Sequence, residues 1–305
     1  MRIQLLALVA LLSAPAFANL VTDVRVALSH DDLPLASELV RSYRAANGVT
    51  SETLEGMSWV ARGQLAAKRY DDAEKSASEV YRLAVGETKK RSLDRDPSLA
   101  SALGASIEVE ANILGAHNQR TEAVAYLQDQ LKTFYATSIR TRIQKNLNLL
   151  TLEGKPAPAL EKVTLAKGKP ALVFFWAHWC GDCKAEGPIL ERIKAEFEPK
   201  GLVIVAPTQK YGYVAAGEDA PPDVELRYIE QIRRERYAGL ITTPAPVSEE
   251  NFRRYGASTT PTLVLIDRSG IVRLYHPGAM TYEDLRARVE KIVSAPQAHR
   301  PAASN

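Results

Sequence analysis

The pattern of hydrophobic and polar positions changes character midway along the chain. From residue 19 to about residue 150, apolar and small residues return at helical spacing, and strand-like alternation is almost absent. After residue 158, short apolar runs stand between charged stretches with helical spacing. The change predicts an all-α domain at residues 19–150 and a domain of strands and helices at residues 159–296, joined by a linker at residues 151–158. The linker contains two prolines, which favour the end of a helix.

A buried strand that leads into a helix is the clearest local prediction in the second domain. Residues 170–176 form a continuous run of apolar, β-prone residues, which is typical of a central strand covered on both faces. Between residues 190 and 197, apolar residues return at helical spacing with charges between them, so a helix should follow the strand. Farther on, the apolar runs 263–267 and 271–275 predict two short strands joined by a hairpin turn.

Both cysteines of the chain, Cys180 and Cys183, fall between this strand and this helix. Residues three positions apart share a helix face, so the two sulfurs could close a small disulfide or stay as a dithiol. A helix N-terminus at this point would stabilise a thiolate at Cys180 and lower its pKa. A structural role for a disulfide is disfavoured, because a bridge across two intervening residues would restrain the unfolded chain little. A zinc site would need further ligands, for which His178 and His276 are the plausible additions. We therefore expect a redox-active pair and no metal.

Length and composition limit the class of protein. The 305 residues are in the range of about two domains. With 46% hydrophobic and 25% charged residues, the chain resembles neither a disordered protein nor a multi-span membrane protein. The formal net charge is +3, and the arginines are scattered among comparable numbers of acids, so a nucleic-acid partner is not indicated.

The first 18 residues have the pattern of a secretory signal peptide. Arg2 precedes the apolar run 5–12, and the Ala-Phe-Ala at residues 16–18 fits a cleavage site. Because the run is too short for a comfortable membrane span, we expect cleavage after Ala18 and export to the periplasm or another extracytoplasmic space. The last residues, 297–305, are expected to be a disordered tail.

Two motifs carry a resemblance to a known family. Residues 176–184 read Trp-x-x-Trp-Cys-x-x-Cys-Lys after the predicted strand, and residues 255–262 read Tyr-Gly-Ala-Ser-Thr-Thr-Pro-Thr before the next one. Together, in this order and spacing, they resemble the thioredoxin superfamily. The lead-in at residues 153–158, a Gly-Lys-Pro before the strand and Glu186 are similar to the TlpA/ResA branch of exported thiol–disulfide oxidoreductases. The resemblance covers about residues 154–293 and implies an α/β thioredoxin-like fold.

The resemblance also implies a mechanism. Cys180 would be the exposed nucleophile that attacks a client disulfide, and Cys183 would resolve the mixed disulfide, with no metal or organic cofactor. Glu186, placed as the glutamate near the dithiol in this branch, would accept the proton of Cys183. The alternative for Glu186 is a solvated glutamate on the helix surface.

Client binding and partners are likewise implied by the family. Pro261 would be preceded by a cis peptide bond next to the sulfurs, and the backbone of Thr260 would pair with an extended client peptide. Trp179 would contact the same client. The family further implies protein disulfide clients, including cytochrome c apoproteins, and a membrane electron donor related to DsbD or CcdA.

This sequence departs from thioredoxin at several positions. Phe174 stands where thioredoxin has a buried aspartate, and Asp182 stands between the cysteines where thioredoxin has proline. Because Asp182 opposes the ionisation of Cys180, we expect a reducing couple. The segment 209–223 is longer than thioredoxin needs and either shapes a client groove or is an ordinary loop. His178 either influences the electrostatic field at the Cys180 thiolate or is a polar surface residue.

Three alternatives remain open at this point. Residues 59–81 and 107–127 resemble two tetratricopeptide-like helix–turn–helix units that would recruit clients or partners, and a plain helical bundle is the other interpretation. The chain as a whole is either a thiol–disulfide oxidoreductase or a non-enzymatic adaptor built on repeats. A peroxiredoxin-like thiol peroxidase is less favoured, because Ala177 stands where that class has threonine.

Overall fold

The computed structural model describes residues 19–295. The chain divides into two compact units, with the division between Val109 and Glu110. The units therefore do not divide at residues 151–158, and the domain boundaries taken from the sequence stay a prediction. The signal peptide at residues 1–18 and the tail at residues 297–305 lie outside the described residues.

The first unit is helical, as the sequence pattern predicts. Asn19, Asp32 and Thr50 each cap a helix by accepting a hydrogen bond from a backbone N–H three residues on. Gly56 lets helices approach closely, since a Cβ at this position would lie 3.0 Å from the side chain of Leu20. The helices up to and across the division are α1 (Leu20–Ser29), α2 (Leu33–Asn47), α3 (Ser51–Ala66), α4 (Tyr70–Thr88) and α5 (Pro97–Ala116).

Helix–turn–helix pairs occur where the sequence predicts them. Short turns join α3 to α4 and α5 to α6 (Arg120–Thr133). This confirms that the helices form, whereas their tetratricopeptide character stays a prediction. Among residues 19–295, no helix combines the length and the apolar character needed to cross a membrane.

The second unit is built around a four-stranded sheet of order β2-β1-β3-β4. Strand β1 pairs parallel with β2 and antiparallel with β3, and β3 pairs antiparallel with β4. The three strands predicted from the sequence are confirmed to within two residues at their ends. The strands are β1 (Ala171–Phe175), β2 (Val203–Val205), β3 (Thr262–Ile266) and β4 (Val272–Pro277); the helices are α6, α7 (Arg140–Thr151), α8 (Gly181–Phe197), α9 (Pro222–Arg236), α10 (Glu249–Tyr255) and α11 (Tyr282–Ser294).

Strand β1 is buried on both faces, as its continuous apolar run predicts. Successive side chains point to opposite faces of a strand, so Leu172 and Phe174 enter one apolar cluster, and Val173 and Phe175 enter another. The first cluster also contains both cysteines. The end of β1 and the start of α8 are therefore held by a packed core rather than by a free loop.

Helix α7 packs on the sheet-containing unit. The side-chain amide of Asn148 on α7 donates a hydrogen bond to the carbonyl oxygen of Tyr255, the last residue of α10 (2.9 Å). Gly256 follows with a positive φ of 61°, and a Cβ there would lie 2.4 Å from the backbone nitrogen of Lys145. The sequence pattern includes most of α7 in the predicted all-α domain at residues 19–150, but the contacts of α7 place it against the segment that leads to Pro261.

Candidate active site

Cys180 is the N-cap residue of α8 and forms a disulfide with Cys183. The backbone N–H of Cys183 donates to the sulfur of Cys180 over 3.0 Å. The orphan N–H groups of a helix's first turn favour a negative charge at this position. When the disulfide is reduced, the same donor would stabilise a thiolate on Cys180 and lower its pKa. The predicted placement of the pair at a strand–helix junction is confirmed.

The segment between β1 and α8 is fixed by hydrogen bonds to the chain that follows β2. The backbone N–H of Trp176 donates to the carbonyl oxygen of Pro207 (3.2 Å), and the Trp176 indole N–H donates to that of Ala206 (3.0 Å). The hydroxyl of Thr208 donates to the carbonyl oxygen of Trp176 (2.8 Å). These hydrogen bonds hold the residues before Cys180 in place, and neither cysteine takes part in them.

Both sulfurs are shielded in the oxidised form. Cys183 is fully buried and Cys180 is only 3% exposed, so the expectation that Cys180 is exposed is wrong for the disulfide state. The physical reason is that Cys180 packs in the same apolar cluster as Cys183. The residues on either side of Cys180 are at the surface: Trp179 is 48% exposed, and Gly181 and Asp182 are also exposed. A client can therefore reach the surface next to the buried sulfur.

The segment before β3 closes the site from the other side. The peptide bond between Thr260 and Pro261 is cis, which confirms that prediction. The carbonyl oxygen of Thr260 lies 3.4 Å from the sulfur of Cys180. The Thr260 hydroxyl is buried without a hydrogen-bond partner in the part of the chain that the structure describes. An incoming disulfide would reach Cys180 past this backbone.

Glu186 lies on the buried face of α8, three residues after Cys183. Its side chain is 1% exposed, so the alternative of a solvated surface glutamate is wrong. The backbone N–H of Met280 approaches its two carboxyl oxygens at 3.3 and 3.4 Å. Burial raises the pKa of Glu186 to about 7, and the Met280 N–H acts in the opposite direction. The carboxyl can thus exchange a proton near neutral pH on the same helix face as Cys183.

Comparison with known proteins agrees with this geometry. Residues 158–292 match the family model described as "Thioredoxin-like domain". The second half of the chain is a thioredoxin-like domain.

Three relatives each match up to half of the chain. The thioredoxin-like protein YneN of Bacillus subtilis (strain 168) is 26% identical over 45% of this chain and 79% of its own length. The thiol-disulfide oxidoreductase ResA of Geobacillus thermodenitrificans is 28% identical over 47% of this chain and 72% of its own. The thiol:disulfide interchange protein DsbE of Xylella fastidiosa (strain 9a5c) is 28% identical over 50% and 75%. Among solved structures, StoA of Bacillus subtilis aligns with a TM-score of 0.32 at 23% identity, over 41% of this chain and 85% of its own.

His178 in the thioredoxin-like domain is buried rather than at the surface. It is 0% exposed, and its Nε2 lies 3.1 Å from a carboxyl oxygen of Glu225, which is also buried. Burial lowers the pKa of His178, and the hydrogen bond to Glu225 opposes that shift. The expectation of a polar surface residue is wrong, because the segment after β2 folds over the imidazole.

The predicted long segment 209–223 packs on the active-site motif. The edges of Tyr211 and Tyr213 face the ring of His178, with ring centroids 5.5 and 5.4 Å apart. Tyr211 also meets Trp179 edge to face at 5.5 Å. Helix α9 follows at Pro222 and carries Glu225 into the same cluster. Of the two expectations for the segment, this packing favours a surface that shapes a client groove over an ordinary loop.

Glu225 is the residue of this site that sequence reasoning missed. The only available signal was that the tyrosines of the long segment precede a helix by about ten residues. A glutamate on the first turn of a helix is normally solvated, and its sequence neighbours on α9 are largely charged. Its burial follows from the fold of the preceding segment, which no local pattern encodes.

Proposed function

We propose that this chain is an exported thiol–disulfide oxidoreductase that reduces disulfides in protein clients through Cys180 and Cys183. One observation carries the proposal: the sulfur of Cys180 accepts the backbone N–H of Cys183 and lies 3.4 Å from the carbonyl oxygen that precedes the cis-proline Pro261. An ionised sulfur is the attacking species in disulfide exchange, and the N–H of Cys183 favours it. The names of the relatives ResA and DsbE point to the same chemistry.

The reaction is a transfer of two electrons and two protons. The thiolate of Cys180 attacks one sulfur of the client disulfide, which forms a mixed disulfide and releases the first client thiolate. Cys183 then attacks Cys180, which releases the second client sulfur and leaves the Cys180–Cys183 disulfide. The client gains two thiols, and the enzyme's dithiol is oxidised.

Glu186 is proposed as the base for the second step. The thiol of Cys183 is buried, so it needs a nearby acceptor when it becomes the nucleophile. With a pKa of about 7, Glu186 is suited to take this proton and return it at neutral pH.

Thr260, Pro261 and Trp179 are proposed as the client-binding residues. Pro261 offers no N–H, and the backbone of Thr260 lies against the sulfur, where an extended peptide could add as a strand. Trp179 exposes about half of its surface next to Cys180 and offers apolar contact to the same peptide.

The proposal also covers the location of the protein, its partners and the direction of electron flow. The pattern of residues 1–18 supports export to the periplasm, where a reductase needs electrons from a membrane donor of the DsbD or CcdA type. Cytochrome c apoproteins are the clients typical of the family, and the helical domain would recruit clients or partners. Asp182, exposed between the cysteines, supports a reducing couple because its charge opposes the thiolate.

Insulin reduction tests the proposal directly. The native protein should reduce insulin in the presence of dithiothreitol, and Cys180→Ser should not. Cys183→Ser should accumulate a mixed disulfide with the client, because the resolving sulfur is missing. Equal rates for the native protein and Cys180→Ser, with no trapped adduct, would leave the adaptor interpretation. Rapid consumption of hydrogen peroxide by the native protein would instead support the peroxidase.

A further inference from the structure

Glu225 is a buried carboxylate held by hydrogen bonds from two different segments. It is 1% exposed. One oxygen accepts the backbone N–H of Tyr211 (2.5 Å) and lies 3.1 Å from Nε2 of His178. The other oxygen accepts the backbone N–H of Gly212 (2.9 Å). A buried carboxyl group is tolerated only when such partners replace water, and here the partners come from the active-site motif and from the segment after β2.

The three groups that contact Glu225 belong to the active-site motif and to the segment after β2. His178 precedes Cys180 by two residues, and Tyr211 and Gly212 open the long segment that follows β2. Glu225 therefore ties α9 to both the motif and the segment that covers it. No partner within residues 19–295 is bonded to the other imidazole nitrogen, Nδ1 of His178. The ring is held through Nε2 and by aromatic edges alone.

Through Tyr211, the hydrogen bonds of Glu225 reach the exposed ring of Trp179. Tyr211 is half-buried and stands edge to face against Trp179, which is the exposed residue next to Cys180. Without Glu225, the backbone N–H of Tyr211 would lose its hydrogen bond, and the ring that stands against Trp179 would be held less firmly. The position of a client-facing pair of rings thus depends on a carboxylate that does not touch the client.

We propose that Glu225 is a positioning residue that fastens Tyr211 beside Trp179, so that the two rings bind an aromatic or large apolar side chain adjacent to the cysteine of an extended client peptide. The inference rests on the proposed function and adds its substrate class. Rings that meet edge to face leave apolar faces for a further ring. Trp179 directly precedes Cys180, so a side chain next to the attacked cysteine would come close to this pair of rings.

The test uses two peptide disulfides that differ in one residue. Each is a symmetric dimer of the same short peptide, with either phenylalanine or serine next to its single cysteine. The reduced full-length protein reduces each dimer to two thiols and becomes the Cys180–Cys183 disulfide, so the electrons balance. The measured quantity is the ratio of kcat/KM for the phenylalanine peptide to that for the serine peptide. We expect a preference of about fivefold for phenylalanine, as one aromatic contact provides.

Two variants and one control isolate the role of Glu225. Glu225→Gln replaces one acceptor oxygen by an amide donor, so at least one of the three N–H groups loses its partner. Tyr211→Leu removes the ring but keeps the backbone N–H that bonds Glu225. Glu230→Gln is the matched control, since Glu230 lies on the same helix but forms surface ion pairs with Arg233 and Arg234. Both test variants should bring the ratio below about twofold, and the control should keep the native ratio.

The outcomes distinguish the inference from the proposed function. A purely structural role for Glu225 would lower both rates equally and keep the ratio, which would overturn the inference. A preference for serine, or a ratio unchanged in Tyr211→Leu, would overturn it as well, and Tyr211→Leu decides the question if Glu225→Gln does not fold. If the native protein reduces neither peptide, the proposed function fails and takes the inference with it.

Discussion

Replacement of Glu186 by glutamine should remove a pH-dependent part of the stability of the oxidised protein. The carboxyl is 1% exposed, and within residues 19–295 it accepts a hydrogen bond from one backbone N–H, that of Met280, at 3.3–3.4 Å. Burial without strong donors disfavours the ionised form, and the pKa rises from 4.5 to about 7. In the unfolded chain the same carboxyl returns to its ordinary value.

The sign follows from the protons bound in each state. Between about pH 4.5 and about pH 7 the native protein holds a proton that the unfolded chain has lost, so stability falls as pH rises. The contribution is fully present below the unfolded pKa and is lost as pH rises through the folded one. At about 1.36 kcal/mol per pKa unit, the shift corresponds to about 3 kcal/mol, and hydration of the native site would reduce this toward about 2 kcal/mol.

Urea unfolding of the oxidised protein at about pH 5 and about pH 8 measures this difference. The glutamine side chain does not ionise, so Glu186→Gln should gain about 2–3 kcal/mol relative to the native protein between the two pH values. Glu198→Gln is the control, because Glu198 is exposed in the turn after α8. If Glu186→Gln and the native protein differ by the same amount at both pH values, the carboxyl is ionised and hydrated in the folded state. That result would also remove the support for Glu186 as the base in resolution.

Two further substitutions test the packing near Pro261 and the charge between the cysteines. Gly256→Ala would place a Cβ 2.4 Å from the backbone of α7 at a positive φ, and we expect a loss of about 2–4 kcal/mol in thermal unfolding. Gly270→Ala, at a positive φ but in open space, should cost only about 1 kcal/mol, and equal losses would refute the proposed clash. Asp182→Asn should raise the midpoint potential of the dithiol by about 10–20 mV in a glutathione redox buffer, the size expected for an exposed charge. A fall in the potential would contradict the proposed effect of Asp182.

The parts of the site that the sequence predicts are those encoded by neighbouring residues. A continuous apolar run can be satisfied only by a strand covered on both faces, and β1 is such a strand. The two cysteines fall on its junction with α8, because the apolar spacing changes there from that of a strand to that of a helix. The cis bond before Pro261 is predicted by family resemblance, since physical chemistry alone makes cis the minority state.

The parts that the sequence does not predict depend on distant contacts. The partner of His178 lies 47 positions away at Glu225, and Asn148 on α7 meets Tyr255 across 107 positions. A polar residue is buried only where the fold provides donors and acceptors, and these come from segments whose approach no local period specifies. The expectation of a surface histidine failed for this reason. The alternative of a solvated Glu186 failed in the same way, since the segment around Met280 helps to cover the carboxyl group.

Glu186 and Glu225 are both buried in the thioredoxin-like domain, but they differ in their hydrogen-bond donors. The difference supports a different role for each. Glu225 has hydrogen-bond partners on both oxygens, from two backbone N–H groups and an imidazole, so its carboxyl group is held in one position. Glu186 has one backbone N–H at the long end of hydrogen-bond distance and a pKa of about 7. His178 is less suited than Glu186 to act as the base, because burial lowers the pKa of its imidazole. These environments support the proposals that Glu186 accepts the proton of Cys183 and that Glu225 holds the covering segment in place.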